Sequence, residues 1–273
     1  MAINSILAFR NDRFGEFLLT ILAFWTLKQN YPNAKITLVV AENVRQLAQR
    51  LPFADRLIAW ENRKHRLGEI LKFSQELRRG HYDLSVIFNP SRELNIISFL
   101  AGIPIRAGYD RKWGFLLNRK IKDAKEQGLR HEVDYNLELL NTIGIEVNPS
   151  VARFPLEIKN EDFADDRLTE LGISDNNFIA IHPWSSNPEK ELKRDKFRQL
   201  CAELSREITY GFGYGKPNYC PPAYKIVVIG GQEEAMRSGG FCAGLPVIDL
   251  TGKTTLLELS GLLKRSRLLV TVD

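Results

Sequence analysis

The chain has 273 residues, 44% hydrophobic and 26% charged, which is typical of a globular protein with one large or two medium domains. It carries a net charge of +5, and between Arg56 and Arg130 basic side chains outnumber acidic ones by sixteen to eight. No apolar run approaches the roughly 20 residues of a membrane-spanning helix. No secretory signal and no disulfide or zinc pattern of cysteines is recognisable, so a cytoplasmic protein is expected.

The first half of the chain alternates between strand and helix patterns. Strands are predicted at residues 6–9, 35–40, 57–60, 84–88 and 105–109, and helices at 17–29, 42–50, 67–79, 92–101 and 132–143. A polar, proline-containing stretch at 147–157 has the composition of a linker.

The same alternation then resumes in the second half. Strands are predicted at 178–182, 225–229, 247–250 and 268–272, helices at 194–207, 233–238 and 255–264, and an inserted loop at 209–224. Repeated β–α units predict two domains, 1–150 and 151–273, each with a parallel sheet wrapped by helices. Because the chain stops directly after a strand, we expect the second domain to be incomplete.

The first segment that indicates a possible functional site runs from Arg10 to Glu16, between the first strand and the first helix. Gly15 lets the backbone approach a ligand, and a carboxylate at the end of a parallel strand could act as a general base. Asp12 or Glu16 capping the helix is the alternative that the segment itself favours.

Several other patterns do not carry a function. Gly252-Lys253-Thr254 lacks the first glycine of a phosphate-binding P-loop, and the glycines at 211, 213 and 215 follow a helix instead of a strand. The four histidines have no metal-ligand spacing with cysteine. No nucleic-acid recognition motif accompanies the basic stretch. Two interpretations of the stretch stay open: a solvated surface, or a site for an anionic ligand.

Five segments, in order, carry a family pattern. They are Arg10-Asn11-Asp12-Arg13-Phe14-Gly15-Glu16, His131-Glu132-Val133, Ser185-Ser186 with Lys190, Gly230-Gly231 with Glu233-Glu234, and Ile248 to Thr254 with the final Val272-Asp273. Together they resemble glycosyltransferase family 9, the lipopolysaccharide heptosyltransferase family. The chain departs from the family pattern at Glu16, where aspartate is commoner, and at Leu192-Lys193, where the family has Trp-Pro.

The resemblance implies a GT-B fold, with two Rossmann-like domains facing across a cleft and the second one truncated. It implies inverting transfer of a sugar, with heptose from ADP-heptose as the expected donor, to a lipopolysaccharide core or related glycan, without a metal or other cofactor. Glu16 would be the base, and Lys190 would stabilise the leaving diphosphate. A solvated lysine is the alternative interpretation of Lys190.

The resemblance also implies two groups of binding residues. The donor would contact Ser185, Ser186, Gly230, Gly231, Glu233, Thr251, Gly252, Lys253 and Asp273. An anionic glycolipid acceptor would contact Asp12, Arg13, Arg63, Lys64, Arg66, Arg111, Arg119 and Lys120, with Lys112 in the same basic loops. Peripheral contact with the cytoplasmic face of the inner membrane is expected, and nucleic acid is not. A non-catalytic fragment of the family and a GT-B-like nucleotide-sugar epimerase remain as alternatives.

Overall fold

A computed structural model describes residues 2–146, 168–173, 177–185, 187–210, 224–237 and 239–272. The chain divides into two compact units, Met1–Leu156 and Glu157–Asp273. The predicted linker at 147–157 and nearly all of the predicted loop at 209–224 lie outside the described residues.

The first unit is built on a six-stranded parallel sheet. Its strands are β1 (Ser5–Arg10), β2 (Lys35–Val40), β3 (Arg56–Ala59), β4 (Leu84–Ile87), β5 (Ile105–Tyr109) and β6 (Arg119–Ile121). They lie in the order β3-β2-β1-β4-β5-β6. The central strands are near-continuous apolar runs because helices cover both faces of a parallel sheet, which is why the sequence reveals them.

Six α-helices accompany this sheet in the described residues. They are α1 (Phe14–Leu18), α2 (Ile21–Asn30), α3 (Arg45–Ala48), α4 (Leu67–Arg79), α5 (Arg92–Leu100) and α6 (Glu132–Leu140). Short 3-10 turns stand at Glu42–Val44, Gly114–Leu116, Lys125–Gln127 and Asn141–Ile143. Leu7, Phe9, Leu77 and Ile97, all nearly inaccessible to water, belong to the core between sheet and helices.

The second unit has a four-stranded parallel sheet in the order β10-β7-β8-β9. Its strands are β7 (Phe178–His182), β8 (Lys225–Val228), β9 (Val247–Asp249) and β10 (Leu268–Thr271), and its helices are α7 (Arg194–Tyr210), α8 (Gln232–Arg237) and α9 (Leu256–Arg265). One face packs around Phe178 and Val227 and the other around Phe197 and Val228. Parallel sheets with helices in both units confirm the predicted α/β class.

Two predicted helices of the first unit were wrong in detail, and one strand was not predicted. The helix expected at 17–29 is two helices, α1 and α2, separated at Leu19 and Thr20. The helix expected at 42–50 is a 3-10 turn followed by the four-residue α3. Strand β6 was not predicted, because an edge strand that begins with Arg119 and Lys120 shows no apolar run.

Candidate functional site

The candidate site lies at the carboxyl edge of the first sheet. From β1 the chain moves to β2 and β3, and it then returns to the other side of β1 as β4. In doubly wound sheets this reversal opens a crevice between the ends of the two strands. Arg10, the last residue of β1, spans it by donating from Nη1 to the carbonyl oxygen of Phe88 at 2.9 Å.

Arg10 is the centre of a cluster of five charged side chains. Only 2% of its side chain is exposed, and its Nε lies 2.9 Å from Oδ1 of Asp12. Its Nη2 donates to the Glu16 carboxylate and lies 3.3 Å from Oε1 of Glu132. Lys125 donates to the same Glu132 carboxylate. The cations Arg10 and Lys125 therefore hold together the carboxylates of Asp12, Glu16 and Glu132.

Burial and carboxylate neighbours shift the pKa of Glu16 upward. Partial burial is the largest contribution, since it disfavours the charged form. Arg10 opposes this rise by attraction, whereas Glu132 and Asp12 add to it by repulsion. A carboxylate with a raised pKa is a better proton acceptor than an ordinary glutamate, which suits a general base.

Glu16 faces a polar cavity of about 530 Å³ at this sheet edge. The cavity presents three carboxylates and three cations together with small polar groups. Its lining residues are Asp12, Arg13, Glu16, Asn62, Asn89, Pro90, Ser91, Arg92, Glu93 and Lys112. A cavity with both signs of charge and amide and hydroxyl groups fits a hydroxylated, charged ligand better than an apolar one.

A strained loop brings Lys112 to this cavity. Lys112 and Trp113 both have left-handed backbones, with φ of 49° and 70°, which is uncommon outside glycine. The buried Asn95 side chain donates to the Lys112 carbonyl oxygen at 3.1 Å and holds the turn. Arg92 lies over the Trp113 ring, 4.5 Å from its centroid. Strain of this kind persists where surrounding structure fixes it, often at binding sites.

The structure brings only part of the predicted acceptor set together. Asp12 and Arg13 line the cavity with Glu16. The other predicted acceptor residues are exposed and are not among the described lining: Arg63, Lys64, Arg66, Arg111, Arg119 and Lys120. Several of these are ion-paired on the surface, namely Arg63 with Glu69, Arg111 with Asp123 and Lys120 with Asp110. Their contact with an acceptor stays a prediction.

Sequence reasoning assigned no role to several residues that build the site. Arg10 and Glu132 stand inside the two family-like segments, so their positions were visible although their pairing was not. Arg92 and Glu93 follow β4 in a loop-to-helix transition, where the rule that ligands bind at strand ends could have found them.

The predicted donor residues that the structure describes lie at the corresponding edge of the second unit. They follow β7, β8 and β9, three neighbouring parallel strands. The backbone N–H of Gly252 donates to the Gly230 carbonyl oxygen at 2.9 Å, which joins two of the loops. Gly252 has φ of 70°, and a Cβ on Gly230 would come within 2.7 Å of the Trp184 ring. Gly252 is thus required by its backbone conformation, and Gly230 is required by the packing of the Trp184 and Thr251 side chains against it.

An ion-pair group joins the first and second of these loops. The Arg237 guanidinium lies 2.8 Å from Oε1 of Glu191 and 3.5 Å from Oε1 of Glu234. It also donates to the Ser185 carbonyl oxygen at 3.4 Å, and the Ser185 N–H donates to Glu191 at 3.1 Å. The segment after β7 is thereby held against α8.

The remaining predicted donor residues differ in position. Lys190 is exposed at the end of a 3-10 turn, Pro188–Lys190, and Glu233 is exposed in the first turn of α8. Lys253 folds back so that its Nζ donates to the Asp249 carbonyl oxygen at 2.8 Å. Thr251 is buried, and its N–H donates to Oδ1 of Asp249 at 3.0 Å. The predicted sites Ser186 and Asp273 lie outside the described residues.

The described residues also bear on metal binding and on membrane spanning. Within the described ranges, no group of three or more His, Cys, Asp or Glu side chains is arranged to hold a metal ion. Metal-independent chemistry stays a prediction. No described helix combines the length and the apolar character needed to cross a bilayer.

Comparison with known proteins gives one consistent family. The model described as glycosyltransferase family 9 (heptosyltransferase) matches residues 70–212, more than half of the chain. A Haemophilus influenzae protein named "Putative glycosyltransferase" is 25% identical over 213 residues, which cover 75% of this chain and 61% of that protein. Lipopolysaccharide heptosyltransferase 3 of Escherichia coli is 24% identical over 274 residues, covering 95% of this chain and 74% of that protein. The chain thus spans about three fifths to three quarters of these relatives.

A solved structure agrees with these matches at the level of the fold. The structure of E. coli ADP-heptose LPS heptosyltransferase II superposes with a TM-score of 0.77 at 22% identity. The superposition covers 98% of this chain and 79% of that one. It supports the predicted GT-B fold class.

Proposed function

The chain belongs to glycosyltransferase family 9, and we propose that it transfers a sugar from a nucleotide-sugar donor to a glycan hydroxyl, with Glu16 as the general base. The observation that carries this proposal is the placement of Glu16. Its carboxylate faces a polar cavity at the switch point of the first sheet, and its pKa is raised by burial and by neighbouring carboxylates. A base needs this combination of access to the substrate and proton affinity.

The proposed reaction is a single displacement with inversion. The acceptor hydroxyl oxygen attacks the anomeric carbon, the bond from that carbon to the diphosphate oxygen breaks, and Glu16 takes the hydroxyl proton. Arg10 favours the ionised form of the carboxylate, because its positive charge opposes the effect of burial on the pKa of Glu16. The leaving nucleoside diphosphate gains charge in the transition state, and positive groups near it lower the barrier.

The donor is proposed to bind at the carboxyl edge of the second sheet. Three loops meet there, and the hydrogen bond from the Gly252 N–H to the Gly230 carbonyl oxygen joins two of them at a point where neither residue carries a side chain that would block a donor. Lys190 and Ser185 stand in the loop after β7, where Lys190 would stabilise the leaving diphosphate. ADP-heptose is the proposed donor, in keeping with the name of the E. coli enzyme that shares the fold.

The acceptor is proposed to be an anionic glycan, with lipopolysaccharide core as the first candidate. Arg13, Arg92 and Lys112 bring three positive charges to the cavity that holds Glu16. A carboxylate or phosphate on the acceptor would pair with them and place a neighbouring hydroxyl toward the base. The name of the E. coli relative, lipopolysaccharide heptosyltransferase 3, points to the same class of acceptor.

A lipid-linked acceptor requires contact with a membrane surface, and we propose that an aromatic patch of Phe99, Trp113 and Phe115 provides it. Trp113 is 44% exposed and Phe115 is 69% exposed, and their rings lie 5.7 Å apart. Arg106 lies over Phe99 at 5.4 Å and donates to the neighbouring Leu116 carbonyl oxygen. Exposed aromatic rings beside cations suit the headgroup region of an anionic bilayer.

The function is tested by a transfer assay with a panel of labelled nucleotide sugars and a lipid A–Kdo acceptor. We expect a new glycolipid from ADP-heptose and none when the acceptor is left out. Glu138→Gln, which changes a partly exposed carboxylate ion-paired with Arg130, should retain activity. Failure of every donor to give product, with both substrates shown to bind, would contradict the proposal.

A further inference from the structure

Glu93 places a third carboxylate, after Asp12 and Glu16, in the wall of the cavity that holds Glu16. It stands in the first turn of α5, whose start is fixed by Ser91: the Ser91 hydroxyl oxygen accepts from the Leu94 N–H at 3.3 Å. This turn follows β4, so Glu93 comes from the opposite side of the switch point from Glu16. The mechanism proposed above gives Glu93 no role.

One oxygen of Glu93 is held by two donors. Nε1–H of Trp60 donates to Oε1 at 2.9 Å, and Nδ1 of His65 lies 2.7 Å from the same oxygen. Because an ionised carboxylate only accepts hydrogen bonds, His65 donates through Nδ1–H. The two rings are themselves fixed, since the Trp60 ring stacks between His65 at 4.0 Å and Phe73 at 4.1 Å.

The other oxygen of Glu93 is left for a ligand. Among the described residues, Oε2 accepts no hydrogen bond, although 21% of the side chain is exposed and the residue lines the cavity. His65, by contrast, has only 3% of its side chain exposed. The buried pair of donors thus orients a carboxylate whose second oxygen keeps its lone pairs available to a ligand.

We propose that Glu93 determines acceptor specificity by accepting hydrogen bonds from hydroxyl groups of the acceptor sugar, and that His65 and Trp60 are its positioning residues. This inference rests on the proposed function, because it assigns the cavity to the acceptor. Arg13, Arg92 and Lys112 would bind the anionic group of the acceptor. Glu93 would bind the hydroxyl groups of the sugar and repel its anionic group. The acceptor then has one preferred orientation relative to Glu16.

The direct test uses binding, so that it does not depend on transfer. Glu93→Gln keeps the shape and the amide oxygen that Trp60 and His65 need, but it replaces the available acceptor with a donor. Two probes are titrated by NMR against each protein: methyl glucuronide, with a carboxylate and vicinal hydroxyls, and cyclohexanecarboxylate, with a carboxylate alone. The wild type should prefer methyl glucuronide, and Glu93→Gln should weaken only that probe, by about tenfold or more.

Three controls separate positioning from folding. Glu76→Gln alters an exposed carboxylate on α4 and should leave both titrations unchanged. His65→Phe keeps an aromatic ring against Trp60 and removes the donor, so it should weaken methyl glucuronide less than Glu93→Gln does. If transfer is observed, Glu93→Gln should raise the KM for acceptor and leave the KM for donor unchanged.

Two results would overturn the assignment: a wild type that does not distinguish the probes, or a Glu93→Gln protein that loses both equally. Retained probe discrimination with no transfer from any donor would refute the transferase proposal and leave Glu93 as a residue that binds hydroxylated ligands in this cavity.

Discussion

Replacing Arg10 by methionine tests whether the buried charge cluster is an organised unit. The variant keeps a side chain of similar length in a site that is almost fully buried. It removes the donor to the Phe88 carbonyl oxygen and the positive partner of three carboxylates. Lys125 is then the only cation of the original cluster facing Asp12, Glu16 and Glu132.

The size of the effect follows from burial. Removing one partner of a buried ion pair costs about 3–5 kcal/mol, because the other charge is left without compensation. The three carboxylates of this cluster are between 19% and 32% exposed, so water offsets part of the loss. We therefore expect the free energy of unfolding to fall by about 3 kcal/mol at pH 7.

The measurement is urea unfolding followed by tryptophan fluorescence at pH 7 and pH 5. Without Arg10 the pKa of Glu16 rises further, since Arg10 opposes the rise in the wild type. A group with a raised folded-state pKa stabilises the fold at low pH and loses that contribution as pH rises. The destabilisation should thus be smaller at pH 5.

The matched control is Arg56→Met, which breaks an exposed pair with Glu76 and should cost less than about 0.5 kcal/mol. A loss below about 1 kcal/mol for Arg10→Met, equal at both pH values, would show that the carboxylates do not depend on Arg10.

Three further predictions concern separate parts of the molecule. Since Glu16 must be ionised to act as a base, the transfer rate should fall as the pH drops through the pKa of Glu16, which lies above the ordinary 4.5. Glu132→Gln removes a carboxylate that raises this pKa, so the acidic limb of the pH–rate profile should move to lower pH. Replacing Trp113 and Phe115 together by alanine should weaken binding to phosphatidylglycerol vesicles at least about tenfold in sedimentation assays; unchanged binding would exclude the aromatic patch as the membrane contact. Phe197→Ala should lower the free energy of unfolding by about 3–5 kcal/mol in urea titrations, because the ring is fully buried; a loss under about 1 kcal/mol would contradict the described core.

The fold was largely predictable because its strands are recognisable from local sequence. Buried parallel strands such as β1 and β4 are short apolar runs, and the helices between them show helical spacing or end at glycine. The break after α1 was not predictable, since it depends on distant partners. Thr20 is fully buried, donates to the Glu16 carbonyl oxygen at 2.7 Å and accepts from the Asn136 side chain at 3.2 Å.

The candidate site was predictable only where one short segment carries it. Asp12, Arg13 and Glu16 lie together in sequence and line the same cavity. The pairing of Arg10 with Glu132 joins residues 122 positions apart, and no local pattern reveals such a contact. The excess of positive charge likewise suggested an anionic ligand and included Lys112 among the candidates. It gave Arg92 no role, although the fold brings both residues to the cavity.

The most direct test of the proposed mechanism compares Glu16→Gln with the wild type in heptose transfer from ADP-heptose at saturating substrates. Glutamine keeps the size of the side chain and can still accept from Arg10, but it cannot take a proton at neutral pH. We predict that kcat falls by about 10²–10⁴-fold while both substrates still bind. A kcat within about threefold of the wild type would contradict the assignment of Glu16 as the base.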